Sequence, residues 1–263
     1  CPAGLAVLAQ TGQYNWAFET VPQSGLNGRR GYQPRGKVLG GSSSINAMVY
    51  IRGQRSGYDR WAALGNPGWS YADVLPYFKR AGHNERGADA YHGSGGPLNV
   101  MDLRSPNRFG PVFVEAARQA GYRLNADFNA ADQEGVGVYQ VTHRNGERCS
   151  AAKGYLAAAL GRPNLQVFTN ARVTRIVLDG ERRATGADVL LAGRASRLQA
   201  RREVLLAAGA VQSPQLLMLS GIGPGAELQR HGVPVLHDLP GVGRHLHDHP
   251  DIVQVVDAPH LKD

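Results

Sequence analysis

The sequence predicts a mixed α/β fold, and three observations carry that reading. Residues 204–208, Val-Leu-Leu-Ala-Ala, are apolar throughout, as in a strand buried on both faces, and they run into Gly209 and a helix signal. "RVTRIVLD", "TGADVLLA" and "SRLQARREVLLAAG" are β-type runs separated by turn residues, the pattern of a meander. Elsewhere, apolar residues recur at helical spacing between capping and stop residues.

In chain order, residues 13–35 are rich in Gly, Pro, Asn and Gln and read as extended loop. Residues 57–64 and 71–81 read as short helices. Ser70 is placed to cap the second, with Asp73 at its third position facing the positive helix end. Pro76 is expected to kink that helix or confine it to one side of the proline. Residues 83–97, with His83, His92 and four glycines, read as loop. Val112, Phe113, Ala116, Ala117 and Ala120 predict a helix over 109–120, with Gly121 in the stop position. Ser150 opens a further helix reaching about residue 160. Beyond Pro163, "NLQVFTN" and the runs after it read as strands, with turns at Asp179-Gly180 and at Gly193. Gly209 ends the strand at 204–208 and lets the backbone turn tightly. Ser213 and Pro214 read as an N-cap and a first-turn proline, residues 215–219 as the helix body, and Gly221 as its stop. A buried strand entering a glycine turn and a capped helix is how α/β folds present ligand sites. A plain strand-to-helix connection reads equally well.

Composition narrows the class. The 263 residues suffice for one large domain or two, and no apolar run is long enough to span a membrane. The chain opens on Cys1 with no signal-peptide pattern, and reads as an internal piece of a longer protein. The net charge of +8 raises nucleic-acid binding, but only four of the 29 basic residues are lysines. The arginines are scattered, without interleaved aromatics, so the basicity reads as a compositional habit rather than a nucleic-acid footprint. Cys1 and Cys149 make neither a metal spacing nor a disulfide framework; Cys149 reads as a structural thiol in a reducing compartment.

Two stretches invite chemistry. In "GKVLGGSSSINAMVY", Gly36, Gly40 and Gly41 permit positive φ or close backbone approach, and Ser42, Ser43 and Ser44 add hydroxyl donors to a possible anion nest. It is not a nucleotide-hydrolase phosphate loop, because Lys37 precedes the glycine pair and no Gly-Lys-Ser/Thr follows. A flexible turn is the bland alternative. In "HLHDHPD", His245, His247 and His249 alternate with Asp248 nearby and Asp251 two residues on, a spacing unlike that of tetrahedral zinc; no metal site is expected.

Order then matters. "GKVLGGSSSIN...Y", followed about 170 residues later by "GAVQSPQLLMLSGIG", resembles the two motifs of the glucose-methanol-choline family of flavin oxidoreductases. "NWAFET", "NPGWSYADVLPYFKRAG", "GRPNLQVFTNARVTRI" and "LPGVGRHLHDH" are similar to its bacterial choline- and alcohol-dehydrogenase branch, and the likeness covers essentially the whole chain.

The resemblance implies FAD as cofactor and a Rossmann-like FAD domain with a β-meander, interleaved with part of a substrate domain. FAD-domain parts are expected at 1–95 and 161–249, and substrate-domain parts at 96–160 and 250–263. Ser42, Asn46, Ala47 and Val49 would line the flavin and its linker, with Val38, Gly41 and Met48 nearby. Val173 would hold the adenine through its backbone, and Gly209 would lie near the same half of the cofactor. Some relatives carry a flavin-linked histidine where this chain has Ile45, so no covalent bond is expected there. Asp248 and His249 would form a hydrogen-bonded turn near the flavin.

The family's GxGxxG unit is expected before Cys1 and its catalytic histidine beyond Asp263, so no catalytic residue is expected in this chain, and the chain alone is expected to be inactive. The implied reaction is oxidation of an alcohol, choline or another primary alcohol, with electrons passing to a quinone, another carrier or oxygen. The implied location is cytoplasmic, or peripheral at the inner membrane. A redox-silent hydroxynitrile lyase of the same fold, or a non-catalytic fragment, are the alternatives.

Overall fold

The computed structural model describes residues 12–249 and 251–254, divided into two compact units, Cys1–Leu165 and Gln166–Asp263. Both mix helix and strand, as the sequence predicts.

The first unit opens with an antiparallel pair, β1 (Phe18–Glu19) and β2 (Tyr32–Gln33), inside the segment read as loop. Buried Asn15 staples its base: Oδ1 accepts from the Ala17 and Arg35 amides, and Nδ2 donates to the Tyr32 hydroxyl. Helices α1 (Arg55–Ala63) and α2 (Tyr71–Ala81) follow. Ser70 and Asp73 form the full capping box, and the Tyr71 amide donates to Asp59 of α1 at 3.0 Å. Pro76 does not confine α2 to one side of itself; the helix runs through it. The proline forfeits one amide donor, and the capping box and the Asp59 tie hold the preceding turn regardless.

Residues 83–97 are not all loop. β3 (Gly82–Asn84) pairs in parallel with β4 (Leu98–Val100), closed over a glycine-rich connection. At Gly96, a Cβ would stand 2.5 Å from the Gly82 carbonyl oxygen, so only glycine allows the approach. Helix α3 (Phe109–Gln119) ends before Gly121 at φ 93°, as predicted. A hairpin follows, β5 (His143–Arg144) and β6 (Glu147–Arg148), turned by Asn145 and Gly146 at φ 51° and 75°. Ser150 caps the next segment, its Oγ accepting from the Lys153 amide, but a π-turn at Ala152–Leu156 and a 3-10 turn at Ala157–Ala159 replace the expected α-helix. The core gathers Met48, Val100, Met101 and Val141 where Val141 bridges both Val49 and Met101. Beside it a buried amide chain runs from Asn84 through Gln140 to Asp102.

In the second unit the meander is β7 (Ala171–Leu178), β8 (Ala184–Leu191) and β9 (Arg194–Gln199), antiparallel in that order. Asp179 Oδ1 closes the first turn on the Glu181 and Arg183 amides, and Ala192-Gly193 closes the second with both φ values positive. Asp188, central in β8, receives Arg175 from one side and Arg197 from the other. Helix α4 (Gly209–Leu219) reaches β7 through Ser220, whose Oγ accepts from the Ile176 amide at 2.8 Å. A parallel pair, β10 (Ile222–Gly223) and β11 (His237–Asp238), flanks the short helix α5 (Gly225–Arg230).

Three expectations fail here. "NLQVFTN" forms no strand; the ladder begins only at Ala171. Residues 204–208 form no strand, and Leu205 is 82% exposed, because a doubly buried strand needs ladder partners on both edges and no described segment pairs with it. Ser213 and Pro214 lie inside α4 rather than opening it: Gly209, at φ 89°, admits the chain to the helix four residues early.

Candidate cofactor site

The loop at residues 36–50 is shaped first by its own small residues. Gly40 and Gly41 take φ values of 88° and 55° and lead into a 3-10 turn at Gly41–Ser44. Ser42 Oγ accepts from the Gly36 amide at 3.2 Å, Ser43 Oγ donates to the Gly40 carbonyl at 2.6 Å, and Ser44 Oγ donates to the Leu39 carbonyl at 2.8 Å. A Cβ on Gly36 would overlap the Gly41 carbonyl, and one on Gly40 would stand 2.5 Å from Ser44 Oγ and 3.0 Å from the Ala152 amide. The hydroxyls read as nest donors therefore fold the loop itself. The close approach that Gly36 and Gly40 permit is that of neighbouring chain.

Residues 142–152 hold this loop from behind. The Thr142 amide and hydroxyl both donate to the Met48 carbonyl, at 2.9 and 3.3 Å. His143 Nε2 lies 2.9 Å from Met48 Sδ, and the Ala151 amide donates to Ser43 Oγ at 2.9 Å. Arg148 Nη1 donates to the Ser43 carbonyl, the Asn46 carbonyl and Asn46 Oδ1 at 3.2, 2.7 and 2.8 Å. Burial pulls Arg148 below its ordinary pKa. Burial first, then the charge of Arg148, holds His143 below the ordinary histidine value. Met48 is fixed at φ 63°, a left-handed conformation costly for a long side chain and typical of strained functional segments.

The loop thus has two sides. Ile45 and Met48 are buried, Met48 within the core. Val38, Ser42, Asn46, Ala47 and Val49 are exposed, and Gly41 lies between them in open space. Asn46 Oδ1 is taken by Arg148 and by the Met48 amide, which it accepts at 3.1 Å. Among the described residues nothing accepts from the Ala47 or Val49 amides. Two free backbone donors on a rigid, partly apolar surface suit a planar heterocycle with carbonyl and imine acceptors, which is the chemistry of a flavin ring.

Two candidates belong to the second unit. Val173 lies in β7 opposite Val189, and a register shift interrupts the ladder directly after it. Gly209 opens α4 with nothing within 4 Å of the place a Cβ would occupy. The sequence reading missed Arg148, Thr142 and His143. Asn145-Gly146, a strong hairpin signal, marks the element that carries two of them. His245 to His249 are exposed, with the His249 amide donating to Asp248 Oδ1. Among the described residues no three His, Cys, Asp or Glu side chains are grouped to hold a metal, and no helix is long and apolar enough to cross a membrane.

Comparison with known proteins first places the fold among flavin-dependent oxidoreductases. Pyridoxine 4-oxidase from Mesorbium loti superposes with a TM-score of 0.85 at 34% identity, over 91% of this chain and 47% of that one. An FAD-dependent oxidoreductase from Chaetomium thermophilum gives 0.81 at 32% identity, over 87% of this chain and 42% of that one. In sequence, the chain is 46% identical over 251 residues to oxygen-dependent choline dehydrogenase of Brucella anthropi, and 45% identical over 254 residues to alcohol dehydrogenase [acceptor] of Pseudomonas putida. Each match covers 95% of this chain but only 45% and 46% of the relative, so the chain spans about half the length of the curated relatives it matches. A family model described as GMC oxidoreductase matches residues 3–251. The chain belongs to the GMC oxidoreductase family, and FAD is the cofactor that goes with it.

Proposed function

We propose that the full-length protein oxidises a primary alcohol, choline or a similar small alcohol, to the aldehyde, using FAD. The observation that carries this reading is the two-sided loop: packed and clamped behind, exposed in front, with no acceptor among the described residues for the Ala47 and Val49 amides. The family membership supplies the cofactor, and the names of the relatives support the alcohol. When bound, FAD supplies hydride acceptance at its ring.

This chain's own residues bind and orient it. The Ala47 and Val49 amides donate to ring acceptors, Val38 and Val49 give apolar contact, and Ser42 and Asn46 offer the hydroxyl proton and the Nδ2 amide that the loop leaves unused. Val173 and Gly209 serve the adenine half through backbone groups. Residues 1–95 and 161–249 form the FAD part, and 96–160 with 250–263 the substrate part. A quinone, another carrier or oxygen takes the electrons, at the inner membrane surface or in the cytoplasm.

Anaerobic spectroscopy tests the reading. The purified full-length protein should show a flavin absorbance that bleaches on addition of choline or a primary alcohol. A protein without flavin, or a bound flavin that no alcohol bleaches, would overturn it.

A further inference from the structure

Arg148 is buried to 9% exposure, yet it meets no carboxylate among the described residues. Arginines elsewhere meet carboxylates: Arg86 reaches Asp102, and Arg175 and Arg197 share Asp188. Buried Arg52 also lacks a carboxylate, but it lies over the Tyr50 and Phe78 rings at 5.7 and 5.2 Å. Arg148 has only neutral oxygens, and all three belong to the cofactor-facing loop, about 100 residues away in sequence. Burying a guanidinium without a counter-charge is costly, and a neutral donor could make the same three bonds. The charge itself therefore has a use, and burial removes part of the solvent that would screen it.

We propose that Arg148 is a positioning residue for the flavin loop, and that its uncompensated charge raises the reduction potential of the FAD bound on the loop's other side. The proposal rests on the FAD reading above. Arg148 fixes the Asn46 side chain and the Ser43 and Asn46 carbonyls, so it sets the turn from which Ala47 and Val49 present their amides. Reduction adds negative charge to the ring, and a cation held close behind the loop favours that state over the oxidised one.

The test uses the full-length protein loaded with FAD, with Arg148→Met, Arg148→Gln and Arg148→Lys. The readouts are the FAD dissociation constant, the flavin midpoint potential and the melting temperature of the apoprotein. Arg148→Met and Arg148→Gln should weaken FAD binding about tenfold or more and shift the reduction equilibrium about tenfold toward the oxidised form, about 30 mV for a two-electron couple. Arg148→Lys should keep the potential while binding FAD more weakly than wild type. A merely structural arginine would lower the apoprotein melting temperature and leave the potential alone. If Arg148→Met does not accumulate, the Lys and Gln variants decide: equal potentials overturn the proposal, and a lower potential with Gln sustains it. Wild-type protein that binds no FAD would instead overturn the functional reading, which keeps the two failures apart.

Discussion

Replacing Gly36 and Gly41 of the loop one at a time separates self-packing from ligand contact. In Gly36→Ala the new Cβ overlaps the Gly41 carbonyl and lies 2.8 Å from the Ser42 nitrogen, where ordinary contact begins at 3.4 Å. Both are backbone, so no rotamer change relieves the clash, and the loop must open by about 1 Å. That movement stretches the Gly36-to-Ser42 bond at 3.2 Å and the Gly41-to-Val38 bond at 2.9 Å. Overpacking of about 1–3 kcal/mol plus two bonds at about 1 kcal/mol each gives a loss of about 3–5 kcal/mol. For a protein of this size that is a fall of roughly 6–20 °C in apoprotein melting temperature. Gly41→Ala differs. Its φ of 55° costs about 1–2 kcal/mol, but nothing lies within 4 Å of the new Cβ. The apoprotein should melt only a few degrees lower, with the larger effect on FAD affinity. Differential scanning fluorimetry with and without FAD reads both variants. Equal melting losses for Gly36→Ala and Gly41→Ala would refute the self-packing account of Gly36.

Asn46→Leu removes the acceptor used by Arg148 and the Met48 amide; a loss of about 1–3 kcal/mol should appear mainly as a roughly tenfold or greater rise in the FAD dissociation constant, and an apoprotein that no longer folds would make Asn46 structural instead. Acid denaturation followed by ultrafiltration should release the yellow cofactor, because Ile45 offers no nucleophile; colour retained on the protein counts against this. His143 titrates below its ordinary 6.5 in the folded state, so between the two values the unfolded chain holds a proton the native one lacks. Stability is then complete above 6.5 and lost as pH falls through the folded value, and His143→Gln should flatten that slope in a series of melts from about pH 7 to about pH 5. A variant with the wild-type slope would remove His143 from the account.

Local signals were legible where local chemistry decides. Ser70 with Asp73, Gly121 after α3, Gly193 in the meander turn and the positive φ of Gly209 all follow from the residue types alone. The paired loop glycines were legible as special backbone, but what approaches them was not: Ser44 and Ala152 crowd Gly40, and Ala152 lies over a hundred residues away. Residues 204–208 misled because an apolar run reports burial potential, whereas a ladder needs partners. Pro214 misled in the same way, since it occupies the sixth position of a helix opened by a left-handed glycine; Pro76, also sixth, leaves α2 unconfined because a capping box holds its start. Arg148 was hidden by its own abundance; among 29 basic residues nothing in the residue type marks those that turn inward, Arg52 and Arg148.

The clamp on the loop also sets an order of events. Ser43 and Met48 are joined to residues 142–151 by bonds spanning 94 to 108 residues of chain. A ribosome adding about 5–20 residues per second exposes the loop for roughly 5–20 s before Thr142, Arg148 and Ala151 exist to seize it. During that interval Gly40, Gly41 and the three serines can hold only a local turn, and Met48 has no reason to stay left-handed. The surface with the free Ala47 and Val49 amides is therefore among the last features of its unit to mature. The hairpin at Asn145-Gly146, far from the loop in sequence, therefore governs when that surface takes its final shape.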